Sequence, residues 1–212
     1  MSGRSEKIVY FTEAGPQNTD EVLSLALERA KERGIKSIVV ASTYGDTGVK
    51  ATEVFKGYNV VVVTHYTGFQ APNVQQLTEE NRKKILENGG KILTATHAFG
   101  GIGRAVRNKF GTYEVDELVA NVLRIFGQGM KVACEIVTMA ADAGYVRTDE
   151  DVIAIAGSGR GADTAIVVRP VNVCNFFDMK VKEIICMPCL LYTSDAADDG
   201  ESVDLGGRRL IK

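Results

Sequence analysis

The sequence predicts an α/β fold with a mainly parallel sheet and helices on both faces, and three observations predict it. Runs of β-branched residues alternate with segments of helical spacing along most of the chain, the pattern left by successive βαβ units. One run, Val60-Val61-Val62-Val63, is apolar throughout, as expected of a strand covered on both sides. Two other runs end in glycine-and-hydroxyl loops: Ser42-Thr43-Tyr44-Gly45-Asp46-Thr47-Gly48 after Ile38–Ala41, and Gly157-Ser158-Gly159-Arg160-Gly161-Ala162-Asp163-Thr164 after Val152–Ala156. In such sheets, loops beyond the carboxyl ends of strands are where ligands bind.

Each element follows in order. Lys7 to Thr12 reads as a short strand. Asn18 reads as a helix N-cap with Glu21 three residues on, a capping box. Val22, Leu25, Ala26, Arg29 and Ala30 keep helical spacing, and Gly34 stops the helix. A strand over Ser37 to Ala41 leads into the first loop, then a helix from about Val49 to Phe55 ends at Gly57. After the Val60–Val63 strand, His65 to Pro72 is a loop. Thr78 caps a helix over Glu79 to Glu87, stopped by Asn88-Gly89-Gly90. Lys91 to Ala95 is a strand, and His97 to Gly103 is a third glycine-rich turn. Val115 to about Ala143 is helical with a break at Gly127-Gln128-Gly129. Strands follow at Asp151 to Ala156, Ala165 to Val168 and Val181 to Cys186.

Bulk properties narrow the function. The 212 residues suit one domain with a full core. Hydrophobic residues at 45% and charged residues at 25% are ordinary for a globular protein. A net charge of -2 gives no drive toward nucleic acid or an anionic membrane, and no apolar run is long enough to span a bilayer. The start of the chain reads as lacking a signal peptide, so a cytoplasmic location is the default. Of Cys134, Cys174, Cys186 and Cys189, all but the last sit in apolar settings, where thiols pack as small hydrophobes. Cys186-Met-Pro-Cys189 closes a strand instead of opening a helix, which argues against a thioredoxin-like centre. His65 and His97 lie far from any cysteine, and no metal site is expected.

Several stretches together resemble a known family: Lys7–Phe11, Val40–Thr47, Val63–Phe69, Met139–Asp142, Arg160–Ala165, Asn175–Asp178 and Glu183–Pro188. They are similar to stand-alone prokaryotic proteins related to the pyruvate kinase C-terminal domain. The resemblance implies a three-layer α/β/α sandwich with a mostly parallel sheet over residues 1–188, without the catalytic barrel of pyruvate kinase. It implies that Ser42, Thr43, Gly45 and Thr47 fall where some of those enzymes hold the phosphate of a sugar bisphosphate. Asp46 departs from that pattern, since a carboxylate disfavours an anion. Stand-alone relatives look able to hold flavin mononucleotide (FMN) in this crevice, which makes FMN the leading ligand.

The residues give their own reading beside this one. Ser42, Thr43, Tyr44, Gly45, Asp46 and Thr47 form either a phosphate cradle or a capped strand-to-helix connection. Gly157, Gly159 and Gly161 read G-x-G-x-G ahead of a strand, not a dinucleotide fingerprint. In that loop Ser158 offers a hydroxyl, Arg160 could pair with a phosphate, and Asp163 and Thr164 could bind sugar hydroxyls or hold the turn. His65, Tyr66, Thr67, Gly68 and Phe69 end a buried strand. An aromatic from Tyr44, Tyr66, Phe69 or Phe99 could flank a planar ring. His65 and His97 are the candidates for proton transfer. Glu135 and Asp142 share a helix face seven residues apart and read as an acid–base pair or as solvated and capping groups. Asn175 to Asp178 reads as a flap over the site or a packed turn.

The expected function is binding of a phosphorylated small molecule, FMN first. The alternatives are a flavin-dependent oxidoreductase and an effector-binding module sensing a sugar phosphate. A homo-oligomer is expected on general grounds, with no segment marking an interface. Residues 189–212 lack any period and read as translated sequencing-adapter read-through.

Overall fold

The computed structural model describes residue 3 and residues 5–189. Strands β1 (Val9–Phe11), β2 (Ser37–Ala41), β3 (Asn59–Thr64), β4 (Lys91–Thr94), β5 (Val152–Ala156), β6 (Thr164–Arg169) and β7 (Lys180–Pro188) form one sheet in the order β1-β7-β6-β5-β2-β3-β4. β6 alone is reversed, antiparallel to β5 and β7, while the other pairings are parallel. Chain length explains the reversal. Only residues 157–163 separate β5 from β6, too few for the crossover that a parallel neighbour needs.

Among the described residues six α-helices complete the three layers: α1 (Thr19–Arg33), α2 (Asp46–Val54), α3 (Glu79–Glu87), α4 (Ile102–Phe110), α5 (Val115–Arg124) and α6 (Gln128–Asp142). Side chains alternate across each strand. Ile38, Val40, Val60, Val62, Ile153 and Ile155 point into one core beneath α1, α2 and α3. Val39, Val61, Val63, Val152, Ala154 and Ala156 point into a second core beneath α5 and α6. The central strands therefore need apolar residues at every position.

Local chemistry moved several boundaries. Asn18 precedes α1, but its backbone is already helical and its amide donates back to Glu13 O (2.7 Å) instead of capping. The cause is a 3-10 turn at Pro16–Asn18. Helix α2 begins at Asp46, three residues before the expected Val49. The stretch expected to be a turn through Gly103 already enters α4 at Ile102. Residues Val173–Asp178 form a 3-10 segment in which Cys174 is exposed, not in the apolar setting expected of it. Thr78 does cap α3, its hydroxyl accepting the Asn81 N–H (3.2 Å).

The stretch expected to be read-through, 189–212, lies outside the described residues except for Cys189, whose N–H donates to Phe11 O (2.7 Å). Among the described residues no helix is long and apolar enough to cross a membrane.

Candidate functional site

Parallel strands deliver their following loops to one edge of the sheet. The loops after β2, β3, β4 and β5 converge there on a cavity of about 910 Å³. Helices α4, α5 and α6 build the opposite wall, contributing Arg104, Arg107, Asn121, Arg124 and Lys131. Of the residues singled out in the sequence, Ser42, Thr43, Tyr44, Asp46, Thr47, His65, Tyr66, Gly68, Phe69, His97, Phe99, Gly157, Gly159, Arg160 and Gly161 line this space. Gly45, Thr67, Ser158, Asp163 and Thr164 do not.

The first loop turns directly into α2. Gly45 adopts φ 102°, a left-handed conformation, and a Cβ there would meet Asn81 Cβ at 2.4 Å, so only glycine fits. Ser42 is buried and its Oγ accepts the Gly48 N–H (3.0 Å), capping the helix. The Asp46 and Thr47 amides, in the first turn, have no intrahelical acceptor and carry the positive end of the helix dipole. Asp46 is engaged on both oxygens: Oδ1 accepts from Asn81 Nδ2 (3.0 Å) and Oδ2 from Arg160 (2.9 Å).

The second loop is fastened from within. Asp163 is fully buried and its Oδ2 accepts the N–H groups of Gly15 (3.1 Å) and Ser158 (2.9 Å), while Oδ1 accepts the Thr164 hydroxyl (2.8 Å). The Ala162 N–H donates to Thr19 Oγ1 (3.0 Å). Asp163 and Thr164 thus hold the turn. Arg160 reaches outward over the Tyr44 ring, 5.0 Å from its centroid.

Four rings gather at the ends of β3 and β4. His65 lies 4.0 Å from Phe69 and 5.2 Å from His97 between centroids, and Tyr66 lies 5.4 Å from His97. Nδ1 of His65 donates to Gln76 Oε1 at 2.8 Å, and Nε2 lies 3.4 Å from the Thr43 hydroxyl. Burial pushes the His97 imidazole down from 6.5 to about 4, with His65, Lys131 and Arg104 adding to the effect against the pull of Glu135. His97 is therefore neutral at pH 7.

The helical wall holds residues that the sequence reading missed. Lys131 Nζ donates to Glu135 Oε2 (2.6 Å), and both side chains are nearly sealed, at 6% and 4% exposure. Glu135 Oε1 also accepts the Phe99 N–H (2.9 Å). Burial pushes the Glu135 carboxyl up, but Lys131, His97 and the Phe99 N–H outweigh it and hold it below the usual carboxylate range. Asp142, its expected partner, lies apart and accepts from Asn172 (2.9 Å) and the Val173 N–H. Arg107 Nε donates to both Glu117 oxygens (2.8 and 3.1 Å). Arg104 sits over Phe69, 5.4 Å from its centroid, and its Nε is buried with no partner among the described residues. The signal for Lys131 was present: it stands four residues before Glu135, and the two are the only charges in the first three turns of α6.

Charge gives the cavity its character. Lys50, Arg104, Arg107, Arg124, Lys131 and Arg160 line it against Asp46, Glu117 and Glu135. Each carboxylate is already paired with one of those bases and Lys50 with Asp20 outside the cavity, which leaves Arg104 and Arg124 to favour an anionic guest. Among the described residues, no group of three or more His, Cys, Asp or Glu side chains could hold a metal ion.

Solved structures similar to the chain include a pyruvate kinase from Cryptosporidium parvum (12% identity, TM-score 0.39, covering 72% of this chain and 23% of that one). Two others are a Cryptosporidium parvum pyruvate kinase at 11% identity (TM-score 0.33, 65% and 20% covered) and that organism's pyruvate kinase in complex with ADP at 13% (TM-score 0.35, 70% and 22% covered). The chain thus spans roughly a fifth to a quarter of the solved enzymes it matches. The family described as "Pyruvate kinase, alpha/beta domain" matches residues 20–168, which include all four cavity loops and both helical layers. By that match, the chain belongs to the pyruvate kinase alpha/beta domain family.

Proposed function

We propose that the cavity binds a phosphorylated small molecule and that FMN is this ligand. The observation that carries the reading is the surplus of basic side chains over carboxylates in a cavity where the start of α2 opens beside four clustered rings. The volume, about 910 Å³, suits a cofactor-sized guest. In this reading the Asp46 and Thr47 amides, the Thr43 and Thr47 hydroxyls and Lys50 take the phosphate. The pairing of Asp46 with Arg160 offsets the carboxylate that would otherwise repel it. Tyr66, Phe69 and His65 supply the apolar and polar edges against which a planar ring packs. FMN would supply the redox chemistry when bound, and His65 and His97 would hold or move a proton beside it.

Titration of the purified chain with FMN, riboflavin, inorganic phosphate and a sugar bisphosphate tests this. FMN binding far tighter than riboflavin is the expected result, because riboflavin lacks the phosphate. Binding of the sugar bisphosphate alone would favour an effector-binding module, and no binding of FMN would end the flavin reading. Reduction of bound FMN by a nicotinamide nucleotide would extend the reading from binding to oxidoreductase chemistry.

A further inference from the structure

The arginines of the cavity differ in what holds them. Arg107 and Arg160 are spent on carboxylates, Glu117 and Asp46. Arg124, at the end of α5, is held by neutral amides alone: its Nη1 donates to Asn121 Oδ1 (2.7 Å) and its Nε to Gln128 Oε1 (2.8 Å). Asn121 lies one turn earlier in α5, and Gln128 opens α6. Amide oxygens fix the plane of a guanidinium without cancelling its charge. The outer edge, Nη1 with Nη2, keeps N–H groups that find no further acceptor among the described residues. Arg104 is a second cation of this kind. It lies over the Phe69 ring, and its Nε is buried without a partner. Charge left uncompensated on a partly buried wall is costly unless a guest supplies the counter-charge.

We propose that this wall is a second anion subsite, which takes the carboxylate of a small organic acid that shares the cavity with FMN. It rests on the reading above that the flavin phosphate sits at the start of α2. FMN then has no second anionic group for Arg104 and Arg124 on the opposite wall. The cavity, about 910 Å³, stands near the top of the range of ligand pockets, roughly 300–1,000 Å³. It has room for a second small guest. A carboxylate matches the free edge of Arg124, where parallel N–H groups meet both oxygens in one plane. A phosphate dianion would leave oxygens unmatched and bring its second charge toward Glu117 and Glu135, which line the same wall. Arg104 ties the subsite to the rings: the Phe69 ring beneath it lies 4.0 Å from His65 and 5.4 Å from His97 between centroids. An acid held there presents its carbon skeleton to the rings against which the flavin packs. A small organic acid is thus the class of molecule this site offers to the flavin.

Calorimetric titration of the full chain, with and without saturating FMN, tests this. Acetate and benzoate should bind, and benzamide, the neutral counterpart of benzoate, should bind about tenfold or more weakly. Arg124→Gln should weaken benzoate about tenfold or more and change FMN affinity less than about twofold. Gln128→Glu, which sets a carboxylate against Arg124, should weaken benzoate to a similar degree. Both variants should melt within a few degrees of the parent chain. Benzoate indifferent to Arg124→Gln, benzoate displaced by FMN, or no binding of either acid overturns the proposal. Inorganic phosphate that binds through Arg124 where both acids fail gives the wall to a phosphate instead and overturns it too. An Arg124→Gln variant that loses FMN as steeply as benzoate puts the flavin phosphate on this wall, which overturns the second subsite and leaves the flavin reading intact. Benzoate binding that needs Arg124 in a chain that takes up no FMN ends the flavin reading and leaves the acid subsite standing.

Discussion

Arg160 and Asp46, 114 residues apart in sequence, meet at 2.9 Å and latch the loop after β5 to the loop after β2. Both side chains are well exposed, at 68% and 61%, so the pair itself adds no more than about 1 kcal/mol to stability. Its importance is electrostatic: it decides whether the start of α2 meets an anion with a bare carboxylate or a paired one.

Asp46→Asn should therefore tighten FMN binding several-fold, since it removes the negative charge and frees Arg160. Arg160→Ala should weaken binding about tenfold, because it leaves Asp46 bare. Both variants should melt within a few degrees of the parent chain. Fluorescence titration alongside thermal denaturation checks the two outcomes together, and a weaker-binding Asp46→Asn would contradict the assignment.

Lys131→Met should cost about 3–5 kcal/mol of folding stability, because Glu135 would keep its charge in a sealed wall with no cation beside it. Adding Glu135→Gln should recover much of that loss, since the amide still accepts the Phe99 N–H without carrying charge. Urea denaturation of the two variants gives the comparison. If the single variant is as stable as the double, the pair is not the unit described above.

Histidine 97 gives a pH signature. Folding lowers its pKa from 6.5 to about 4, so between these values the unfolded chain takes up a proton that the folded chain refuses. Stability should fall by about 3 kcal/mol as pH drops through that window and be independent of this group above it. Glu135, held below its usual range, adds a separate loss that begins only below its ordinary value of 4.5. His97→Gln should flatten the upper window and leave the lower one, as read from urea midpoints against pH.

Gly45→Ala should cost about 1–3 kcal/mol, because the new Cβ combines a left-handed backbone with a collision against Asn81. Relief of that collision must shift the start of α2, so FMN binding should fall more steeply than in an equally destabilised core variant. Calorimetry and ligand titration on one sample separate the two effects.

Much of the fold was legible because apolar runs and glycine stops fall where strands and helices end. Val60–Val63 and Gly34 are examples. The reversed β6 was legible in principle too, since the residues between β5 and β6 are too few for a crossover, yet the loop's glycines drew the reading toward ligands. Helix α4 was hidden for a different reason. Gly103 is its one buried residue, so the helix shows no apolar stripe facing the core, and the glycines before it look like a turn. With α4 unseen, Arg104 and Arg107 had no wall to stand on. Lys131 went unremarked because Glu135 was read with Asp142, seven residues on, and a charge inside an apolar helix signals its partner only once the neighbour four residues away is read with it.

Asp163 gathers donors from Gly15, Ser158 and Thr164, and so knits the segment after β1 to the hairpin between β5 and β6. That half of the binding edge is set before any guest arrives. Its amides should exchange with solvent slowly although they lie in loops, and a ligand settling there would lose little of its binding free energy to ordering the protein. The entropic cost of capture then falls on the helical wall opposite, at Arg104, whose Nε has no partner among the described residues.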